Sequence, residues 1–397
     1  MPFAAALSEH PSGAHAVGEV VGTVLEAIGE EPDLAVLFVT EAHAGAIEDI
    51  AGVVRTALRP GVLLGATAVS VLGGSREVEQ HPGVSLWAAR LPSRPVPVRL
   101  ATVDTDRGPA VVGMPEEAGR AATLLLVPDP YSFPADRLLD RLTELAPGLT
   151  VVGGLASAAR GPGGNRLVLD DRVFTDGAVG ALLDRSVPVA AVVSQGCRPI
   201  GQPLTVTRAE RNVVYELGGR PALDRLREAV AALPAEERPL AAGGIHVGRV
   251  IDERRTDFER GDFLIRAVLG ADREAGAIAV GDQVEVGSTV QFQVRDAGAA
   301  DEDLRALLAG RSADAALVFT CNGRGMGLFG VPDHDAGLVA RHVTTAGASA
   351  GMFCAGELGP VGGRNFVHGY TASVALFSDP VGPTGPTGPT EPTEEAP

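Results

Sequence analysis

Aromatic residues are scarce, with one tryptophan, three tyrosines and twelve phenylalanines in 397 residues. Beside 51 glycines and abundant alanine, this scarcity points to a compact core of small and β-branched side chains. Cysteine is nearly missing: three thiols in so long a chain exclude a disulfide framework and fit a reducing compartment. No stretch reaches the length of a membrane span without glycine, proline or charge, and no basic leader with an apolar segment and cleavage site opens the chain. A cytoplasmic protein that does not insert into membranes is expected. Positive charge is also short: the formal net charge is −17, and without a basic patch such a field repels a phosphate backbone, which argues against nucleic-acid binding. What is present is a chain long enough for two domains, 45% hydrophobic, in the globular range.

The chain is organised by one stretch, Ala315 to Phe377, whose order of events occurs three times. An apolar run, Ala315 to Thr320, leads into the glycine-rich turn Cys321-Asn322-Gly323-Arg324-Gly325. A helical pattern follows at Ala336 to His342, then a small-residue strand from Ala350 to Glu357. A glycine-rich link, Gly359 to Gly363, precedes a last strand, Gly369 to Phe377. The first copy has strands at Leu34–Thr40, Val62–Val69 and Val84–Ala89 with a helix at Ile47–Leu58. The second has strands at Thr123–Val127, Leu149–Ala156 and Gly177–Leu183 with a helix at Pro134–Leu145. Irregular spacing favours duplication within globular domains over a solenoid. Each middle strand carries small residues, Gly65-Ala66, Gly153-Gly154 and Gly351, which permit close approach of a neighbouring backbone or of a ligand. The resulting expectation is an α/β fold: two domains built from duplicated strand-helix-strand-hairpin units, with mixed sheets and covering helices.

Around these copies, Phe3 to Leu7 reads as a first strand. Val17, Val20, Val21, Val24, Leu25 and Ile28 then recur at helical spacing. Val96, Val98 and Leu100 alternate as an edge strand. The loops Gly73-Gly74-Ser75-Arg76 and Arg160 to Arg166 combine glycine with arginine and are candidates for anion-binding nests. Val187–Ser194, Thr205–Thr207, Val213–Leu217, Phe263–Arg266, Gly276–Val280 and Thr289–Val294 read as strands, with helices from Pro221 and over Asp301–Leu308. The expected division is an amino-terminal domain over 1–195, a carboxy-terminal domain over 196–379, and a Gly/Pro/Thr/Glu tail over 380–397 whose composition predicts disorder.

Several motifs occur together: Cys197-Arg198-Pro199-Ile200-Gly201 followed by Thr205-Val206-Thr207, Gly261 to Arg266, Phe319 to Gly325, and Phe353-Cys354-Ala355-Gly356-Glu357. With Gly359-Pro360 and Phe366-Val367-His368-Gly369-Tyr370-Thr371, they resemble the FIST family, over roughly Ala16 to Phe377. The resemblance implies an amino-terminal and a carboxy-terminal FIST domain. It also implies a sensory module for a small ligand in signal transduction, with amino acids proposed as ligands, and one branch resembles a haem-binding nitric-oxide sensor. No kinase, methyl-acceptor, cyclase or F-box part is recognisable, so the signalling output is expected from a separate partner protein. Homo-oligomer formation is left open.

Loops at the carboxyl ends of strands are the usual ligand positions in α/β sheets. The candidate ligand-binding set is therefore Cys321, Asn322, Gly323, Arg324, Gly325, Cys354, Glu357 and His368. Arg324 offers paired donors to a carboxylate, Asn322 a donor and an acceptor, and Glu357 a carboxylate for an amine, which suits a small polar or amino-acid-like molecule. The competing structural reading pairs Arg324 with Glu357. No catalytic residue, metal ligand or cofactor is predicted. Alternatives are a thiol-dependent or acid–base enzyme using Cys321, Glu357 or His368, a haem-binding gas sensor, and a scaffold or assembly protein.

Overall fold

The structure is a computed structural model that describes residues 1–106, 108–255, 257–258 and 260–379; the predicted tail lies outside the described residues. The fold is mixed α/β, and the three copies are three strand-helix-strand-hairpin units. In each, a first strand lies parallel to a middle strand because a helix carries the chain back between them. The pairs are Leu34–Thr40 with Val62–Ala68, Thr123–Pro128 with Thr150–Gly154, and Ala315–Cys321 with Ser349–Cys354. The crossover helices are Ile47–Leu58, Ala135–Leu145 and His334–Ala340. A last strand (Val84–Ala89, Ala178–Leu183, Thr371–Phe377) returns antiparallel to the first strand. A lead strand (Phe3–Ser8, Val96–Thr105, Val189–Gln195) then lies against the last.

Between middle and last strands each unit forms a hairpin, and none of these hairpins completes its own sheet. Ser70–Gly73 and Arg76–Glu79 of the first unit extend the third unit's sheet, with Gly351 opposite Leu72. Leu167–Leu169 and Arg172–Phe174 of the second extend the first sheet, with Val168 opposite Gly65. Glu357–Val361 and Arg364–His368 of the third extend the second sheet, with Leu358 opposite Gly153. The segment expected as a glycine link, Gly359 to Gly363, is thus the end of this third hairpin's first strand and its turn. A central core draws on all three sheets, joining Phe38 and Trp87, Leu125 and Val152, and Phe319 and Met352. The outer faces are covered separately: by Gly13–Ile28 and Ile47–Leu58 on the first sheet, Ala135–Leu145 on the second, and Ala297–Leu308 with His334–Ala340 on the third. Strands buried on both faces explain the apolar runs without polar alternation.

The lead strand of the second unit is not an edge, contrary to expectation. Gly108–Val112 pairs outside it and takes the edge position.

In the third unit a whole barrel interrupts the path from lead strand to helix. The long strand Cys197–Glu210 pairs through Cys197–Thr205 with Thr289–Arg295 and through Val206–Glu210 with Val213–Leu217. The circuit closes through Ile245–Val250, Phe263–Asp272 and Ala277–Val280. Register shifts after Ile200 and at Arg208 bend the long strand enough to serve both neighbours. Its core holds Val206, Leu217, Val247 and Phe292, and the helix Ala222–Ala231 packs on it.

The middle-strand glycines have a structural cause. A Cβ on Gly65 would stand 2.3 Å from the Leu37 carbonyl oxygen, on Gly153 1.9 Å from that of Leu126, and on Gly351 1.9 Å from that of Val318. In all three units the neighbouring parallel backbone fills the space a side chain would need. Gly351→Ala is therefore expected to cost roughly 1–3 kcal/mol, seen as a lower urea midpoint. A midpoint equal to that of the parent protein would refute this cause.

Candidate functional site

The strand Ala315–Cys321 ends beside Cys354 in register, and the turn that follows lies where the third unit meets the barrel. Asn322 leaves its side chain exposed and donates its backbone N–H to the Cys354 carbonyl at 2.9 Å. Gly323 accepts a hydrogen bond on its carbonyl oxygen from the Arg295 guanidinium of the barrel. Gly325 has φ of 70°, and a Cβ there would strike the Glu79 carboxylate at 2.7 Å. That carboxylate, from the first unit's hairpin, accepts the Met326 N–H at 2.8 Å. The N–H that follows the glycine turn is thus met by an acid of this same chain, while the Gly323 and Arg324 N–H groups reach the Cys321 sulfur and carbonyl.

Arg324 turns inward and is 1% exposed. Its partner is not Glu357 but Asp335, on the crossover helix of its own unit: Nε donates to Oδ2 at 2.6 Å and Nη2 to Oδ1 at 2.8 Å. Thr320 Oγ1 donates to the same carboxylate at 2.6 Å, and His334 Nδ1 lies 3.0 Å from its other oxygen. Burial alone would raise the Asp335 pKa, but the guanidinium beside it holds the carboxyl well below the usual range. The remaining Arg324 nitrogen, Nη1, is buried without a partner. Glu357, fully buried, accepts from the Thr371 N–H at 3.2 Å and from Thr371 Oγ1 at 2.8 Å on Oε2 alone. Its Oε1 is likewise unpartnered, and burial pushes the carboxyl up to about 8.

The barrel contributes the opposing wall. Along its strands Val247, Phe292 and Val294 point into the barrel core, so the alternate positions His246, Gln293 and Arg295 face the other way. His246 stacks edge-on against Tyr370 at 4.1 Å, and Arg295 lies over the same ring at 5.4 Å. His246 Nδ1 and Gln293 Nε2 have no partner. Of nine buried side-chain atoms without a partner among the described residues, four therefore sit in this layer: those of Arg324, Glu357, His246 and Gln293. A cleft of about 240 Å³ opens at its edge, between Ile265 and Gly281 of the barrel and Gly356, Gly369 and Tyr370 of the third unit.

The three thiols differ little. Burial pushes Cys197 and Cys321 up to about 12, and Cys354 well above its ordinary value. Cys354 belongs to the central core, where it makes a contact of 3.5 Å to the Met352 carbonyl. A thiol held protonated at neutral pH is a poor nucleophile. His368 is spent on the Gly359 carbonyl, at 3.0 Å from Nε2. Cys321, Gly323, Arg324, Glu357 and Gly369-Tyr370 thus gather at the seam. Asn322 faces solvent, Gly325 meets Glu79, and Cys354 and His368 are enclosed in packing. In the glycine–arginine loops Arg166 donates to the carbonyls of Gly163, Gly164 and Asn165 of its own loop, and Arg76 pairs with Glu9 beyond the first strand. Sequence reasoning missed Asp335, His246, Gln293 and Arg295. The last three were marked only by falling on the polar phase of strands that alternate.

The FIST N domain model matches residues 33–220 and the FIST C domain model residues 222–360. The chain belongs to the FIST family. FIST domains are associated with signal transduction and small-ligand sensing. An uncharacterized protein of Mycobacterium tuberculosis is 43% identical over 386 residues, covering 96% of this chain and all of its own length. An uncharacterized protein of Mycobacterium bovis is 43% identical over 379 residues, covering 93% of this chain and 97% of its own. Among the described residues of this FIST protein no helix is long and apolar enough to cross a membrane.

Buried titratable groups at and around the seam give the protein a pH signature. Glu357 at about 8, and Glu77, pushed by burial and Asp335 to about 7, hold protons in the folded state that the unfolded chain releases near pH 4.5. Their stabilisation is whole below that value and is lost as pH rises to about 8. His246 and His368, held by burial at about 4 against 6.5, act oppositely: stability falls as pH drops from about 6.5 to 4. The two effects offset between, so the melting temperature should be level from about pH 4.5 to 6.5 and fall from 6.5 to 8.5. Glu357→Gln should flatten that alkaline fall. A parent protein equally stable at pH 6.5 and 8.5 would contradict this.

Proposed function

We propose that this FIST protein is a small-ligand-binding sensory protein. Its ligand is a small polar or amino-acid-like molecule, held in the layer between the barrel and the third unit. Its output passes through a separate partner protein. One observation carries the reading: Arg324, Glu357, His246 and Gln293, each at most 3% exposed, leave polar atoms unpartnered in one layer. Leaving a buried donor or acceptor unmet costs about 1–3 kcal/mol each, and a ligand with matching groups recovers that cost. The protonated Glu357 carboxyl and neutral His246 accept or donate, while Arg324 Nη1 and Gln293 Nε2 donate. The ligand therefore presents acceptors, such as a carboxylate or carbonyl, on the side of Arg324 and Gln293.

The first measurement is an absorption spectrum, since a Soret band would move the reading to haem. Thermal-shift screening against amino acids and small carboxylates follows. A ligand at a hundredfold excess over its Kd stabilises by about 2.7 kcal/mol. Gln293→Leu and Glu357→Gln should abolish the shift while the unliganded proteins still unfold cooperatively. Arg324→Ala is the wrong probe, because it also strands Asp335. If no compound shifts the parent protein, or if both variants respond as the parent does, the layer is a structural network and the reading fails.

A further inference from the structure

All 33 basic side chains of this chain are arginines, and most that meet an acid hold it at hydrogen-bond distance. Arg198 reaches Glu237 at 2.7 Å and Asp296 at 3.0 Å, and Arg305 reaches Asp301 at 2.8 Å. Five pairs are longer, at 3.7 to 3.9 Å, and three of them meet in one place. At a rim of the barrel Arg249 stands 3.7 Å from Asp282, and Arg266 stands 3.9 Å from Asp136. On the third unit's hairpin Arg364 stands 3.9 Å from Asp140. Arg137, beside Asp136 on the second unit's helix, has no ion-pair partner among the described residues. Only Arg266 makes a close contact here, donating from Nε to Asp282 at 3.1 Å. These arginines converge from three elements on one cleft of about 490 Å³.

Four acids also line the cleft, Asp136, Asp140, Asp282 and Glu285, but they do not use up the donors. Asp282 takes both the Arg266 Nε–H and, at 2.8 Å, the N–H of Gln283. Burial moves the Asp136 pKa upward, which weakens its claim on Arg266. Arg249 Nε is buried and has no partner. Arg364 lies 5.4 Å over the Phe366 ring, which restrains the guanidinium beside the cleft. A guanidinium carries five donors in a planar fork that matches carboxylate and phosphate oxygens. A space of this size is ample for a small molecule.

We propose that this cleft is an anion-binding site for a small molecule bearing a phosphate or a pair of carboxylates, gripped by Arg249 and Arg364 with Arg266 behind them. The anion supplies the close acceptors that Asp140 and Asp282 do not. Because its arginines come from the barrel and the third unit's hairpin, binding ties these two elements together across a cleft that the second unit's helix also lines. The site is separate from the buried layer and stands whether or not that layer takes a ligand.

The test is calorimetric titration of the full chain with inorganic phosphate, glycerol phosphate and succinate, at constant ionic strength set with chloride. Saturable one-to-one binding of at least one probe is expected, and the preferred probe tells the phosphate source from the dicarboxylate. Arg249→Gln and Arg364→Gln, whose parent side chains are 38% and 51% exposed, should stay folded. Each should weaken binding by about tenfold or more, the worth of a lost hydrogen bond to a charged group. Arg273→Gln, on an exposed barrel turn, should leave the affinity unchanged. Failure of all three probes to saturate overturns the site. So does an Arg273→Gln effect as large as that of Arg249→Gln, since the binding would then be diffuse charge attraction.

Discussion

Severed between Gln195 and Gly196 and expressed as separate chains, neither half is expected to give the cooperatively folded body; co-expression is expected to restore it. Residues 1–195 would lack the strand Glu357–Val361 that covers Thr150–Gly154, and their hairpin Ser70–Glu79 would lose its place beside Ser349–Cys354. The central core would lose Leu317, Phe319, Met352 and Phe377 from among its members. At about 1.5–3 kcal/mol for each large apolar side chain withdrawn from water, these alone approach the 5–15 kcal/mol that holds a typical protein folded. Trp87 reports on the outcome. It is the only tryptophan and fully buried, with the Phe377 ring 4.9 Å and the Phe3 ring 5.7 Å away. Its emission should be red-shifted in the isolated fragment and return to the blue when the halves are combined. A monomeric 1–195 fragment with blue emission and a sharp urea transition would disprove the interdependence.

The second large effect concerns the buried ion pair. Asp335→Leu should destabilise by about 3–5 kcal/mol, because it leaves the Arg324 guanidinium charged and enclosed. Arg324→Met should cost a similar amount by stranding Asp335. The double variant Arg324→Met with Asp335→Leu should recover most of the loss, since replacing both members with apolar groups of like volume removes the uncompensated charge. Urea midpoints of the four proteins give the cycle. Simple addition of the two single losses would mean that the groups do not act on each other, in conflict with the 2.6 and 2.8 Å contacts.

Much of the fold was legible because it rests on local periodicity. First strands such as Leu34–Thr40 and Ala315–Cys321 are apolar up to a threonine at their ends, and the helix Ile47–Leu58 shows its stripe plainly. The exchange of hairpins was not legible. Each hairpin is short, and nothing in the alternation of Ser70–Glu79 says which sheet it joins; the choice is made by residues some 280 positions away. The same limit governs the site. The glycine turn at Cys321 to Gly325 was visible as a strand-end loop, and it does lie at the barrel seam. Arg324 was visible too, but not its partner. Asp335 sits in a helical pattern where an acid ordinarily faces solvent, and only the tertiary packing turns it inward. His246 and Gln293 carry no motif at all and are brought to the layer by barrel closure.

The exchanged hairpins also set a timetable. On a ribosome Val71 is made long before Met352, the residue it pairs with. At 5–20 residues per second that separation is on the order of 15 to 60 s, during which the first hairpin has an unpaired edge and no sheet to join. The second unit's hairpin waits far less, since Leu167–Leu169 emerges after the strand Val62–Ala68 that receives it. The nascent chain therefore completes its first sheet early and carries a sticky β-edge through the synthesis of the entire barrel. A helper that shields that edge, or slow release of the third unit, would decide how much of the newly made protein escapes aggregation.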